Sequence, residues 1–279
     1  MNTMLNIGCG GVTHPAWINL DLASRNPNVR IHDLRRGLPF ADGAVDACYS
    51  SHVLEHLAPA EADFFLAQQR RVLKPGGVLR VVVPDLATIC RTYCRQLDAL
   101  LSGDMGCEFP YDYTLLELYD QTVRSVSGGE LGKVWQSCAG QDRAYVVSRR
   151  GPLAPARVPS RARPTFRGYL RAKLADLRPG HWGPALRRQA ARRAVRLCLG
   201  RRGLDAFDEG LFRASGEIHR WMYDAFSLAR LLHRHGFHQP HPTTAAASAI
   251  PHFEDYHLDT LDGQVRKPGS LFMEAGVSA

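Results

Sequence analysis

Short apolar runs separated by turn residues fill the first 90 positions, which is the rhythm of a parallel α/β sheet. Met4 to Ile7 reads as a first strand that ends at Gly8-Cys9-Gly10-Gly11, and Trp17 to Leu20 as a second that ends at Asp21. Val29 to His32 is a short third closed by Asp33, and Val45 to Tyr49 a fourth closed by Ser50-Ser51-His52. Pro59 suits the first turn of a helix, and Ala62, Phe65, Leu66, Val72 and Leu73 recur at helical spacing, facing the sheet. Lys74-Pro75-Gly76-Gly77 breaks that helix, and Val78 to Val83 is a fifth strand closed by Pro84-Asp85.

After Ile89 the texture changes. Residues 90–142 read as largely helical, and 150–165, rich in Pro, Arg and Ala, as an extended linker. Ala185 to Leu199 reads as a basic amphipathic helix with Leu186, Ala190, Ala194 and Leu197 on one face. From Gly216 the α/β pattern returns: Asp224 caps a helix through Leu228, Leu231 and Leu232, Gly236 stops it, and Ser270 to Ala275 is a last strand. The expected fold is α/β, a Rossmann-like, mostly parallel sheet with helices on both faces, interrupted by a largely helical basic insertion. Its expected parts are 1–90 (first part of the core), 91–214 (insertion) and 215–279 (C-terminal part of the core).

Composition narrows the class. At 279 residues, 45% hydrophobic and 22% charged, the chain matches a soluble globular protein and excludes a disordered or collagen-like one. No run of about 18 apolar residues predicts a membrane-spanning helix. The opening residues lack the basic start and apolar stretch of a signal peptide. Seven scattered cysteines suit reduced thiols, so a cytoplasmic location is expected. The net charge of +8 hides an asymmetry, because residues 143–202 hold 17 Lys and Arg against one acid, Asp176. Charge segregated in this way points to an anionic partner or a solvated face, and positive charge alone does not choose among lipid, nucleic acid and glycan.

The glycine turn carries the first chemical signal. Glycines straight after a strand let the backbone approach a ligand closely. Asp21, ending the next strand, is placed to accept both ribose hydroxyls, and Asp33 to accept from an adenine amino group. Gly8, Cys9, Gly10, Asp21, Asp33, Leu34, Ser50 and Ser51 form the candidate cofactor set. Gly8 and Gly10 are followed by His14 and Pro15, so no useful helix fits before Trp17. A dinucleotide pyrophosphate wants a helix N-terminus there. S-adenosylmethionine has no phosphate, and the turn favours it.

Leu5-Asn6-Ile7-Gly8-Cys9-Gly10, Leu38-Pro39-Phe40-Ala41-Asp42, His52-Val53-Leu54-Glu55-His56-Leu57 and Arg71-Val72-Leu73-Lys74-Pro75-Gly76-Gly77 together resemble class I S-adenosylmethionine-dependent methyltransferases of the type 11 group. The stretch Glu217 to Asp224 through Gly236-Phe237 resembles the C-terminal part of such enzymes found with bacterial surface-polysaccharide genes. The likeness covers about residues 3–90 and 215–279. It implies a methyltransferase, with polysaccharide biosynthesis as its setting. The connection from Gly10 to Asp21 is shorter than in most of the class, so the first helix is nearly absent.

A hydroxyl acceptor needs a base, and imidazole titrates in the useful range. His52, at the end of the fourth strand, and His219, opening the returning motif, are the candidate catalytic residues. His56 is read as a structural histidine. Arg220, Trp221 and Tyr223 form a combination suited to gripping a sugar or an aromatic ring. No Cys/His spacing reads as a zinc site, Leu97 stands where an iron–sulfur motif beginning at Cys90 and Cys94 would need a third cysteine, and no Asp/Asn cluster suggests metal-dependent catechol chemistry, so no metal is expected. No Asn-Pro-Pro-Tyr, no Pro-Cys nucleophile and no aromatic ladder appears, so no specific nucleic acid is expected. The resulting expectation is methyl transfer to a hydroxyl of a glycan or small polar acceptor. The alternatives are a lipid or quinone-like acceptor and a non-catalytic adenosine-binding module. The basic insertion adds peripheral contact with an anionic membrane at its inner face.

Overall fold

The structure, a computed structural model, describes residues 2–151 and 182–278, with 182–185 described for the backbone alone. Seven strands form one sheet in the order β3-β2-β1-β4-β5-β9-β6: β1 Met4–Ile7, β2 Ile18–Asp21, β3 Val29–Ile31, β4 Val45–Ser51, β5 Leu73–Pro84, β6 His238–Thr243 and β9 Ser270–Gly276. β7 Thr260–Leu261 and β8 Gln264–Val265 make a separate two-stranded ribbon. Strands β1 to β5 pair in parallel, whereas β9 runs antiparallel to both β5 and β6. All four residues of β1 are buried, as a central strand covered on both faces requires. The chain winds outward from β1 through β2 to β3 and then crosses back to β4. The C-terminal ends of β1 and β4 therefore flank the switch point, where open α/β sheets bind ligands.

Two helices cover one face. α1 Pro59–Val72 begins with proline in its first turn, and the Glu61 carboxylate accepts from the Ala58 backbone N–H at 2.8 Å. Its Ala62, Phe65, Leu66 and Val72 enter the main core cluster beside Leu5, Ile7, Leu79 and Val81. Near the C-terminus, Ala225–Arg234 (α7) is capped by Asp224, which accepts from Ser227 N at 2.8 Å, and is followed by Gly236 at φ 75°. Leu228, Leu231 and Leu232 bury its inner face, each worth about 1.5–3 kcal/mol of transfer free energy. The second apolar cluster is built differently. Met4, Trp17, Ala47, Tyr49, Val82 and Phe272 pack against Ala245, Ile250, Phe253 and Leu258, a stretch with a single short 3-10 turn, so irregular chain stands there in place of an expected helix.

The short connection after β1 is held by side chains. Buried Asn6 and Asn19 hydrogen-bond each other at 2.9 Å and reach the carbonyls of Val12, His14 and Trp17. These bonds satisfy backbone groups that a first helix would have satisfied itself.

The middle of the chain divides otherwise than the sequence suggests. One compact unit comprises 1–123, 138–154 and 218–279, and a second comprises 124–137 and 155–217. Much of the expected insertion 91–214 thus packs with the sheet-bearing unit. There α2 Leu86–Leu101, α3 Glu108–Val123 and α5 Gly140–Arg150 are joined by the bond from Gln96 Nε2 to Tyr145 Oη at 2.8 Å and by the Glu117–Arg149 ion pair at 2.8 Å. The second unit contains α4 Gly129–Ser137 and α6 Trp182–Arg213, the latter broken at Gly200 where φ is 67°. Within it Arg124 and Gly128 both bond Glu217, and Arg192 pairs with Asp208. Leu186 and Leu197 of the expected amphipathic face are exposed. The expected linker 150–165 lies, from residue 152 on, outside the described residues.

Candidate functional site

Every residue of the candidate cofactor set sits at the C-terminal edge of the parallel strands. Gly8 and Gly10 take φ of 69° and 52°, a region costly for residues with a Cβ. A Cβ on Gly8 would stand 2.3 Å from Val53 Cγ2, whereas one on Gly10 or Gly11 would meet nothing, so the turn is tight beneath and open above. Asp21 ends β2 and accepts from Gly10 N at 2.7 Å, which fixes its carboxylate beside the turn. Asp33 caps a 3-10 turn that begins at Leu34, and Arg35 grips it with two bonds of 2.9 Å. That grip holds the Asp33 carboxyl down at about 2. Cys9 is buried, and burial together with Asp21 pushes its thiol up to about 11, leaving it a neutral wall. Ser50 is paired in register with Ile7, and its buried Oγ has no hydrogen-bond partner among the described residues. A buried hydroxyl left unmatched at the strand end, together with the open turn and Asp21, fits an adenosine-bearing cofactor.

The chain after β4 builds a second constellation. His52 adopts φ 57°, unfavourable for a residue with a Cβ, and Leu54–His56 follows as a single 3-10 turn. This tight geometry brings His52 and Glu55, three positions apart, against each other. His52 Nδ1 lies 3.1 Å from Glu55 Oε1, and its Nε2 lies 2.8 Å from Ser270 Oγ. Glu55 is fully buried. Burial pushes its carboxyl up, and His52, His56 and His219 more than reverse this, holding it at about 2. Burial, reinforced by the charge of Lys267, lowers His52 below its ordinary 6.5 against the pull of Glu55. At neutral pH the arrangement is therefore a carboxylate, a neutral imidazole with Nδ1–H toward it, and a hydroxyl donating to Nε2. Orientation by a carboxylate leaves Nε2 as the basic nitrogen.

His52 opens onto a cleft of about 210 Å³ that His219, Gln121, Arg150, Lys267 and Ser270 also line. Its chemistry is polar and cationic. Lys267 donates to Ser51 Oγ at 3.2 Å, and burial brings its ammonium down to about 8. Arg149 is held by Glu117 through Nε and Nη2 at 3.0 and 2.8 Å.

The returning segment docks on the turn after β4. Arg220 and Trp221 both donate their backbone N–H to the Glu55 carbonyl, at 2.7 and 3.2 Å, and His219 N donates to Gln121 O at 2.8 Å. His56 and His219 come ring to ring, with centroids 4.7 Å apart and planes at 89°. His56, read as structural from sequence, stands among the polar groups of this site. Tyr223 requires a correction. It is 4% exposed, packs in the main core and accepts from Leu86 N through its carbonyl, because the segment must dock on β5 and α2 to bring His219 inward. Arg220 and Trp221 are exposed, so the three side chains do not converge. Sequence reasoning missed Glu55, Lys267, Arg149 and Ser270. The spacing His52-x-x-Glu55-His56 was the available signal for the first of these.

Residues 18–81 match the family model described as a methyltransferase domain. An uncharacterized 37.1 kDa protein in transposon TN4556 of Streptomyces fradiae is 44% identical over 57 residues, 20% of this chain and 16% of its own length. Among solved structures, a SAM-dependent methyltransferase from Archaeoglobus fulgidus is similar at 22% identity, over 33% of this chain and 51% of that one, with a TM-score of 0.28. The 1,6-didemethyltoxoflavin-N1-methyltransferase of Burkholderia thailandensis, solved with S-adenosylhomocysteine, is similar at 18% identity over 30% and 45%, with a TM-score of 0.25. An S-adenosylmethionine-dependent methyltransferase from Mesorhizobium loti is 14% identical over 98% and 90%, with a TM-score of 0.36. The chain spans about half the length of the first two of these structures and 16% of the Streptomyces protein.

Proposed function

We propose that the protein is an S-adenosylmethionine-dependent methyltransferase that acts on a hydroxyl of a glycan or small polar acceptor, in bacterial polysaccharide biosynthesis. The observation that carries this reading is the neutral His52, held between Glu55 and Ser270, facing a cationic polar cleft beside the glycine turn. The methyltransferase-domain match over residues 18–81 supports the same reading.

Bound S-adenosylmethionine supplies a methyl carbon made electrophilic by its sulfonium. Asp21 receives the ribose hydroxyls, Asp33 and Leu34 border the adenine, and the unmatched Ser50 hydroxyl takes one further polar contact. On the acceptor side an incoming hydroxyl takes the place that Ser270 Oγ holds against His52 Nε2. Nε2 accepts its proton as the oxygen is methylated, and Glu55 stabilises the imidazolium through Nδ1–H. Lys267 and Arg150 hold negative charge on the acceptor, and Arg220 and Trp221 contact its outer part. His219, turned toward His56 and Glu55, forms the cleft wall and is the weaker candidate for the base.

Native mass spectrometry of the purified protein should show co-purified S-adenosylhomocysteine or S-adenosylmethionine. A screen of glycan, small hydroxyl, lipid and quinone acceptors should then give methylated product in the first two classes. Turnover restricted to lipids or quinones would replace the acceptor class, and cofactor binding without turnover in any class would leave an adenosine-binding module.

One observation favours a membrane-side place of work. Leu186, Leu197 and Leu199 of α6 are exposed among Arg187, Arg188, Arg192, Arg193 and Arg196, a surface suited to lying on an anionic leaflet at the cytoplasmic face.

A further inference from the structure

Glu55, His56 and His219 each offer one ligand atom, and these atoms lie within 4.8 Å of one another. Two come from adjacent residues of the Leu54–His56 turn and the third from a segment more than 160 positions later in the chain. The backbone holds both partners in place, since Arg220 N and Trp221 N bond Glu55 O while His219 N bonds Gln121 O.

Three details suit this cluster to a cation. Glu55 is fully buried, its Oε1 faces His52 Nδ1, and its Oε2 accepts no hydrogen bond from any described residue. A buried carboxylate oxygen left without a donor costs several kcal/mol unless a charge compensates it. His56 Nδ1 lies 3.1 Å from Ile218 O, so this nitrogen carries the proton and Nε2 presents its lone pair. That is the outer bond by which metal-binding histidines are oriented. The rings of His56 and His219 stand nearly perpendicular at 4.7 Å, close enough to converge on one point without stacking. Of the three, His219 lines the cleft, so the cluster lies directly behind the cleft wall.

We propose that Glu55, His56 and His219 form a binding site for one divalent first-row transition-metal ion, behind the wall of the acceptor cleft. Two imidazoles and a carboxylate select zinc, cobalt, manganese or iron over magnesium and calcium, which prefer all-oxygen sets. The expectation that the chain carries no metal is revised accordingly. Resting on the methyl-transfer reading, the site also receives a role. An ion held by Glu55, His56 and His219 would supply Lewis-acid polarisation of the acceptor hydroxyl behind the cleft wall.

The test uses the full-length protein stripped with chelator and titrated with zinc alone, followed by calorimetry and elemental analysis after dialysis. One zinc per chain is expected, with cobalt substitution giving a visible absorption band of low coordination number. Glu55→Gln and His219→Asn should each weaken zinc binding by about 100-fold, judging from the tenfold to hundredfold losses that even outer-shell changes produce. The circular dichroism spectrum should be unchanged in both. Cys90→Ser with Cys94→Ser, the exposed pair on α2, should leave zinc binding intact. No retained zinc, or retention that survives His219→Asn and falls with the cysteine pair, overturns the site. S-adenosylhomocysteine binding is measured separately on the same samples. Zinc bound without it sinks the methyl-transfer reading and keeps the metal site, and the converse sinks the metal site alone.

Discussion

Two buried charged clusters lie in the sheet-bearing unit, and they differ in one respect. Around Arg80, on β5, every group is matched. Its Nε bonds Asp259 at 2.8 Å, Nη1 bonds Glu274 at 2.7 Å and Ala247 O at 2.9 Å, and Nη2 reaches Thr244 O and Ala245 O. Tyr49 donates to the second Asp259 oxygen at 2.6 Å, and Ala249 N to the second Glu274 oxygen at 2.7 Å. The rings of Phe253 and Phe272 lie 4.3 and 5.6 Å from the guanidinium carbon. All five N–H donors of the guanidinium are spent. Around Glu55 the network stays open: Oε1 faces His52 Nδ1 at 3.1 Å, Oε2 has no donor among the described residues, and a strained His52 stands at the edge. A closed network fastens the irregular 244–261 stretch to the sheet, whereas an open one keeps valence for a ligand. Burial of charge alone does not mark a working site; incomplete satisfaction does.

The largest expected effect breaks the closed cluster. Arg80→Met leaves Asp259 and Glu274 buried without their cation, and urea unfolding should show a loss of about 3–5 kcal/mol. Glu55→Gln, the matching change in the open cluster, should cost less, about 1 kcal/mol, because the amide oxygen still accepts from His52 Nδ1–H and no buried charge is left without its counterpart. Equal losses would erase the distinction.

His52→Ala sharpens the open side. Turnover should fall by about 100-fold or more while S-adenosylhomocysteine affinity holds. In the parent protein kcat/KM should fall on acidification, since protonation removes the base. Because burial and Lys267 lower His52, the acid limb should have its midpoint below the ordinary 6.5. A midpoint above that value would assign the base elsewhere.

Asp21→Ala touches neither cluster, and its effect should fall on the cofactor alone. Loss of two charge-assisted bonds, worth roughly 2–3 kcal/mol together, should weaken S-adenosylhomocysteine by one to two orders of magnitude in calorimetry. The melting temperature should barely move. Unchanged affinity would remove Asp21 from the site.

The same contrast separates what could be read along the chain from what could not. Strands β1 to β5, the glycine turn, Asp21 and the Asp224-to-Gly236 helix were legible, because each rests on local signals such as apolar runs, caps and turn glycines. β6 was not, since Pro240 and Pro242 argue against a strand, and it stands only because it occupies the sheet edge. Both charged clusters were illegible for another reason. Arg80 meets partners 179 and 194 positions away, and His56 meets Ile218 162 positions away, separations that no periodicity encodes. Tyr223 shows the reverse error: an aromatic beside polar residues read as a ligand contact, and tertiary packing claimed it for the core.

The place of β9 between β5 and β6 also has a consequence for how the protein is made. Five parallel strands leave the ribosome early, yet β5 gains its other neighbour only when Ser270–Gly276 arrives. Until then β5, with Val78 to Val83, presents an unpaired apolar edge, the kind of surface on which nascent chains aggregate. Closing a loop of this length costs entropy before any ladder bond repays it, which makes β5–β9 pairing the natural slow step of folding. Chaperone dependence during synthesis, and insolubility of chains ended before Ser270, should follow from the strand order itself.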